Sequence, residues 1–78
     1  MLNQDELNEL WQLQDAVVTI VEANGYSVWN LRPTSYGLYL ELSMHLDEEA
    51  ANHLSFQFNL SAEYWGEGEN GSVFRLYF

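Results

Sequence analysis

Between residues 38 and 46 the chain keeps a strict two-residue rhythm: Leu38, Leu40, Leu42, Met44 and Leu46 alternate with Tyr39, Glu41, Ser43 and His45. Only an extended backbone, which turns its side chain over at every residue, places such a set on one side. The segment is therefore predicted to be a β-strand with one core face and one polar face. The same parity recurs downstream. Leu54, Phe56, Phe58, Leu60, Ala62 and Tyr64 alternate with Ser55, Gln57, Asn59, Ser61 and Glu63, and the chain closes on Val73, Phe74, Arg75, Leu76, Tyr77 and Phe78. Residues 54–64 and 73–78 are read as two more strands with their even positions inward. A fourth strand is predicted over residues 26–31, ended by Arg32-Pro33-Thr34-Ser35. Its buried face is ambiguous, because Tyr26 and Val28 compete with Trp29 and Leu31.

The rhythm changes to three and four in the first third of the chain. Leu7, Leu10, Trp11, Val17, Val18 and Val21 form an apolar stripe that Leu13 and Ile20 widen and Gln14 interrupts, while Asp5, Asn8, Glu9, Gln12, Asp15, Thr19 and Glu22 lie opposite. Asn3 followed by Glu6 resembles a capping box, and Asn24-Gly25 offers a left-handed stop. A helix over residues 4–23, roughly 30 Å long, follows. Residues 47–52 read as a loop or a single helical turn, and residues 66–71 as turn chemistry.

These elements predict an α+β fold in one domain, residues 1–78: an N-terminal helix packed on one face of a four-stranded antiparallel sheet, in α-β-β-β-β meander order. Leu40, Leu42, Phe56 and Phe58 are expected beneath Leu10, Val17 and Val21. For the last hairpin, residues facing each other must point the same way. Pairing Tyr64 with Phe74 then sets Ala62 against Leu76, Leu60 against Phe78, Glu63 against Arg75 and Trp65 against Val73, with residues 66–72 as the connection. The order of elements is similar to the cystatin-like arrangement of a helix followed by four strands, without that family's inhibitory motif.

Charge narrows the function. Twelve carboxylates face only Arg32 and Arg75, with no lysine, for a net charge of −10. Such a surface repels nucleic acid and anionic membranes and attracts basic partners. No stretch has the length and apolarity of a membrane span. The absence of cysteine and of a basic, apolar leader at Met1 to Glu6 points to a cytoplasmic setting.

Catalysis is not expected. There is no lysine or cysteine nucleophile, no serine in a nucleophile-elbow sequence and no glycine-rich phosphate loop. His45 and His53 flank the acidic segment at residues 47–49, but a zinc site needs three or four ligands, so neither a metal nor a cofactor is expected. The loop at residues 66–71 lacks the ligand spacing of a calcium loop. Asn59-Leu60-Ser61 and Asn70-Gly71-Ser72 match glycosylation sequons and, in a chain read as cytoplasmic, are coincidental.

The carboxylates fall into three groups. Asp5, Glu9, Asp15 and Glu22 share the outer helix face, Asp47, Glu48 and Glu49 form a loop cluster, and Glu63, Glu67 and Glu69 lie near the last turn. Carboxylates on a rigid scaffold can occupy the phosphate sites of a nucleic-acid-binding protein. In size, charge and lack of chemistry the chain resembles the small inhibitors of bacteriophages and mobile elements, including DNA-mimicking and anti-CRISPR proteins. That resemblance implies a basic, nucleic-acid-binding host protein as partner, reached through those ten carboxylates, and reversing Asp47, Glu48 and Glu49 to Lys is expected to weaken partner binding much more than it lowers stability, since an exposed loop holds little of the fold. The alternative is an adaptor, chaperone or antitoxin-like module that uses the polar sheet face, where Tyr39, Ser43, Ser55, Gln57, Asn59, Ser61 and Tyr77 gather with Trp29 and Trp65. That face also suits a homodimer.

Overall fold

The computed structural model describes residues 4–58 and 61–77, with the backbone alone for residues 4–8 and 10. It contains two helices and a four-stranded antiparallel sheet. Helix α1 (Gln4–Ala23) has the bounds its periodicity predicts. Val17 and Val21, one turn apart, are buried, and Leu13 and Ile20 pack partly against them. Trp11 departs from the predicted stripe, at 64% exposed. The side chains of Asp5, Leu7 and Leu10 and the capping box at Asn3 and Glu6 lie outside the described residues. The helix stops as its sequence demands. Gly25 takes φ 84°, its amide donates to the carbonyl of Glu22 at 3.0 Å, and that of Tyr26 reaches back to Val21 at 3.1 Å. This paired closure satisfies carbonyls that the helix would otherwise leave orphaned.

Strand β1 (Val28–Pro33) pairs with β2 (Gly37–Leu42). A bulge between Val28 and Asn30 resolves the ambiguity of its buried face. With Trp29 as the extra residue, Val28 faces Leu42 and Leu31 faces Leu40, so both turn inward although their numbers differ in parity. Pro33 ends the strand on the sheet edge, where its missing N–H breaks no ladder. Strand β2 is shorter than its alternation. Beyond Leu42 the chain leaves the ladder, although Met44 and Leu46 remain partly buried.

The segment after β2 corrects the sequence reading. Residues 54–64 are not one strand: helix α2 (Glu48–Ser55) occupies their start, and strand β3 runs over Ser61–Glu67. Asp47 is the N-cap, its carboxylate accepting from the amide of Ala50 at 2.7 Å, and Glu48 and Glu49 fill the first turn, where carboxylates favour the helix dipole. Leu54 and Phe58 fit a period of two and a helical spacing of four equally well. Ala51 and Phe56 distinguish the two. Ala51 is buried with Leu54 and Phe58, whereas Phe56, expected in the core, is 86% exposed.

Strand β4 (Ser72–Tyr77) completes the sheet in the order β1-β2-β4-β3. All neighbours are antiparallel. The order departs from a simple meander at one point, since β4 enters between β2 and β3. Burial explains which strand takes the centre. Phe74 and Leu76 of β4 are fully buried, whereas Ala62 and Tyr64, the inward residues of β3, are only partly so. The β3–β4 register is the one predicted: Ala62 with Leu76, Glu63 with Arg75 and Tyr64 with Phe74. It holds only to Tyr64. A bulge then shifts the pairing to Glu67 with Ser72, so Trp65 and Val73 are not a facing pair, and the connection is tightened to residues 68–71. The Leu60 and Phe78 pairing lies outside the described residues.

One core cluster draws on both helices and the even-numbered sheet face: Val17, Val21, Leu38, Leu40, Leu42, Ala51, Leu54, Phe58, Phe74 and Leu76. Phe58 meets Phe74 edge to face, with ring centroids 6.3 Å apart. The two phenylalanines of this segment therefore respond differently to truncation. Phe58→Ala is expected to cost about 3–5 kcal/mol and Phe56→Ala less than about 0.5 kcal/mol in urea unfolding. Equal losses would contradict the helical assignment.

Candidate functional site

With the even positions of β2, β3 and β4 committed to the core, the odd positions build the opposite face. Residues that face each other across a ladder point the same way. The registers therefore assemble one row straight across the sheet: Arg32 of β1, Tyr39 of β2, Arg75 of β4 and Glu63 of β3. Both arginines of the chain stand in it. The Arg32 guanidinium lies 4.7 Å from the centroid of the Tyr39 ring. The Arg75 guanidinium lies 3.6 Å from that of Trp65 and 4.8 Å from that of Tyr36. Glu63, directly opposite Arg75, instead accepts from the Trp65 indole at 3.1 Å and the Tyr77 hydroxyl at 3.2 Å. It thus orients Trp65, one of the two rings that hold the cation, and Tyr77, which packs on the other.

The next row belongs to Gly37, Tyr77 and Ser61. Gly37 sits at φ 149°, and a Cβ there would stand 2.0 Å from the carbonyl oxygen of Leu76. Only glycine allows this approach, beside which the Tyr36 and Tyr77 rings meet with centroids 5.4 Å apart. On the other side of the arginine row, Glu41 is nearly buried. Its carboxylate accepts from the Asn70 amide at 3.0 Å and from the Tyr39 hydroxyl at 3.1 Å. The Asn70 hydrogen bond, helped by Tyr39, outweighs burial and holds Glu41 below the usual carboxylate range, whereas burial and then Glu41 push the Tyr39 phenol up.

A second polar cluster closes the end of the last hairpin. Ser72, fully buried, donates to Glu67 at 2.8 Å and accepts from the Leu46 amide at 2.8 Å. Glu67 also bonds the Tyr64 hydroxyl and lies 2.7 Å from Nδ1 of His45. Burial opposes the charge of Glu67, but the hydrogen bonds from Tyr64, Ser72 and His45 prevail and hold its carboxyl below the usual range. The bond to Glu67 pushes the Tyr64 phenol up to about 12. Ser72 is sealed from solvent and bonded to Glu67 rather than to His45, so this cluster has the form of a brace and not of a nucleophilic site.

Of the ten carboxylates singled out in the sequence, Asp5 has its side chain outside the described residues, and the other nine divide accordingly. Glu9, Asp15 and Glu22 on α1, Glu48 and Glu49 on α2, and Glu69 in the turn are exposed. Asp47 caps α2, Glu63 holds Trp65 and Tyr77, and Glu67 braces the hairpin. The premise that residues 47–49 form an exposed loop holding little of the fold is thus corrected: they open α2, and loss of Asp47 removes a cap worth about 0.5–2 kcal/mol. Glu48 and Glu49 line an open groove on α2 with Asn52, His53 and exposed Phe56. His45 and His53 therefore have different neighbours. Among the described residues, no three His, Cys, Asp or Glu side chains converge on a metal position, and no helix is long and apolar enough to cross a membrane.

Tyr39, Tyr77, Ser61 and Trp65 belong to the open face as expected. Ser55 and Gln57 instead lie in and after α2, Ser43 sits beyond β2 bonded to Ser27, and Asn59 falls outside the described residues. The stacking of both arginines was missed. The signal was present in the opposition of Glu63 and Arg75, which sequence reasoning took for a charge pair. No family model matches this chain, and no curated protein or solved structure matches it either.

The two depressed carboxyls, Glu41 and Glu67, and the two raised phenols, Tyr39 and Tyr64, set the pH response. Glu41 and Glu67 titrate below their ordinary value when folded, so their contribution is present above that value and is lost as pH falls through the folded one. Tyr39 and Tyr64 have the opposite sign: their contribution is present below the ordinary value of 10.0 and is lost as pH rises through the folded one, about 12 for Tyr64. Urea unfolding should therefore show stability declining on both sides of a plateau. The Glu41→Gln, Glu67→Gln double variant should flatten the acid limb, and an unchanged acid limb would refute the assignment.

Proposed function

We propose that the protein acts by binding, placing its exposed carboxylates on the basic, nucleic-acid-binding surface of another protein in the manner of an acidic inhibitor. The observation that carries this reading is that the negative field is left uncompensated. Both arginines keep to the open sheet face, stacked on aromatic rings, and among the described residues the one contact of ion-pair range is that of His45 with Glu67, an ion pair only when the imidazole is protonated. The carboxylates of α1, of the α2 groove and of the last turn consequently act on the surroundings with little internal cancellation. Such a field steers association with a basic partner and weakens as salt screens it. Their support on two helices and a tight turn gives them fixed spacing, the property needed to stand in for phosphates.

The binding set is narrower than the full acidic complement. Among the described side chains it comprises Glu9, Asp15, Glu22, Glu48, Glu49 and Glu69, because Asp47, Glu63 and Glu67 serve the fold. Capture from a cell lysate on immobilised protein, read by mass spectrometry at about 50 and about 300 mM salt, tests the reading. Nucleic-acid-binding proteins should be retained at low salt and released at high salt. Reversing Glu9, Asp15 and Glu22, or Glu48 and Glu49, to Lys should reduce that capture about tenfold or more; the first set should leave the urea midpoint nearly unchanged, whereas the second should lower it modestly, because those two carboxylates favour the α2 dipole. Capture that persists at high salt, or in both reversed variants, would sink the proposal.

A further inference from the structure

The open sheet face differs from the rest of the surface in charge. Arg32 and Arg75 offset Glu41 and Glu63 there, so the face is neutral by itself within a chain of net charge −10. It is also aromatic, with Tyr36, Tyr39 and Tyr77 partly exposed and Trp65 51% exposed. An apolar and aromatic face of balanced charge is a surface that a similarly acidic body can approach without an excess of carboxylates opposing one another.

The order of the central row adds geometry. Across the sheet it reads Arg32, Tyr39, Arg75, Glu63, with the cation on the β1 edge and the carboxylate on the β3 edge. A twofold axis lying between two stacked sheets and parallel to their strands reverses this order in the facing copy. Arg32 then meets Glu63 of the second copy and Tyr39 meets its Arg75, and the reciprocal contacts follow by symmetry. The row is thus complementary to itself. Trp29 and Trp65, the exposed residues at the bulges of β1 and β3, stand at nearly the same level on opposite edges, so the same axis brings them toward one another.

We propose that a second copy of this chain docks on the open sheet face about such an axis, forming a homodimer that leaves the carboxylates of α1 and α2 outward. This does not depend on the identity of a basic partner. Four strands of about six residues outline a patch of only about 400 Å² in projection, so the dimer should be a weak one, with half-association at about 10–100 μM. Sedimentation velocity between about 5 μM and 1 mM should show the weight-average mass rising from monomer to dimer. Arg32→Glu and Glu63→Arg should each raise the dissociation constant about tenfold or more, and the double variant carrying both should recover most of the loss, because the exchanged charges face each other again. Circular-dichroism melts confirm that each variant is folded. If Glu63→Arg fails to fold, Arg32→Glu on the exposed edge carries the test alone, and its failure to weaken the dimer overturns the proposal. A constant monomer mass up to 1 mM, with the face left to an unrelated protein, overturns it, as does a dimer indifferent to both single variants or a double variant with no recovery.

Discussion

The pairing of β2 with β4 joins the middle of the chain to its end, and the two faces of the sheet take their character from it. On one side Leu38, Leu40, Phe74 and Leu76 are fully buried; on the other, Tyr39 stands beside Arg75. A slip of one residue would turn one strand over against the other and expose either Leu38 and Leu40 or Phe74 and Leu76, at a cost of about 1.5–3 kcal/mol per side chain. The close approach at Gly37 fixes this register from the backbone side, since a side chain there would collide with the Leu76 carbonyl.

Much of this was legible in the sequence, and the failures have a common cause. Helix α1 combines a sustained period with a stop signal, and the β3–β4 register followed from parity together with the Glu63 and Arg75 opposition. Helix α2 was concealed because Leu54 and Phe58 satisfy two periods at once. Asp47 followed by two glutamates was the signal that could have resolved them, since an N-cap and an acidic first turn favour a helix. The exchange of the last two strands was less accessible, because each strand alternates equally well alone. It rests on how much apolar surface each can bury, and Phe74 and Leu76 outweigh Ala62 and Tyr64. Trp11 lies in the helical stripe by number and outside the core by geometry, which periodicity alone cannot distinguish.

Electrostatics separates two kinds of acidic residue that composition treats alike. Asp47, Glu41, Glu63 and Glu67 each accept hydrogen bonds from this chain and stabilise a cap, a turn, a pair of rings or a hairpin end. Glu9, Asp15, Glu22, Glu48, Glu49 and Glu69 are exposed and set the outward field. The stacking of both arginines on aromatic rings keeps the chain's few cations on the face opposite the core. A charged surface and a neutral aromatic one thus coexist on a small sheet, each suited to a different contact.

The claim that the exposed carboxylates stand where phosphates would stand is tested most directly by competition. A nucleic-acid-binding protein captured at low salt is saturated with this chain, and its own duplex or single-stranded ligand is titrated in while bound label on both is followed by fluorescence anisotropy. Mutual exclusion is the expected result, with the apparent affinity for nucleic acid falling in proportion to the concentration of this protein. A ternary complex that holds both at undiminished affinity would contradict the account.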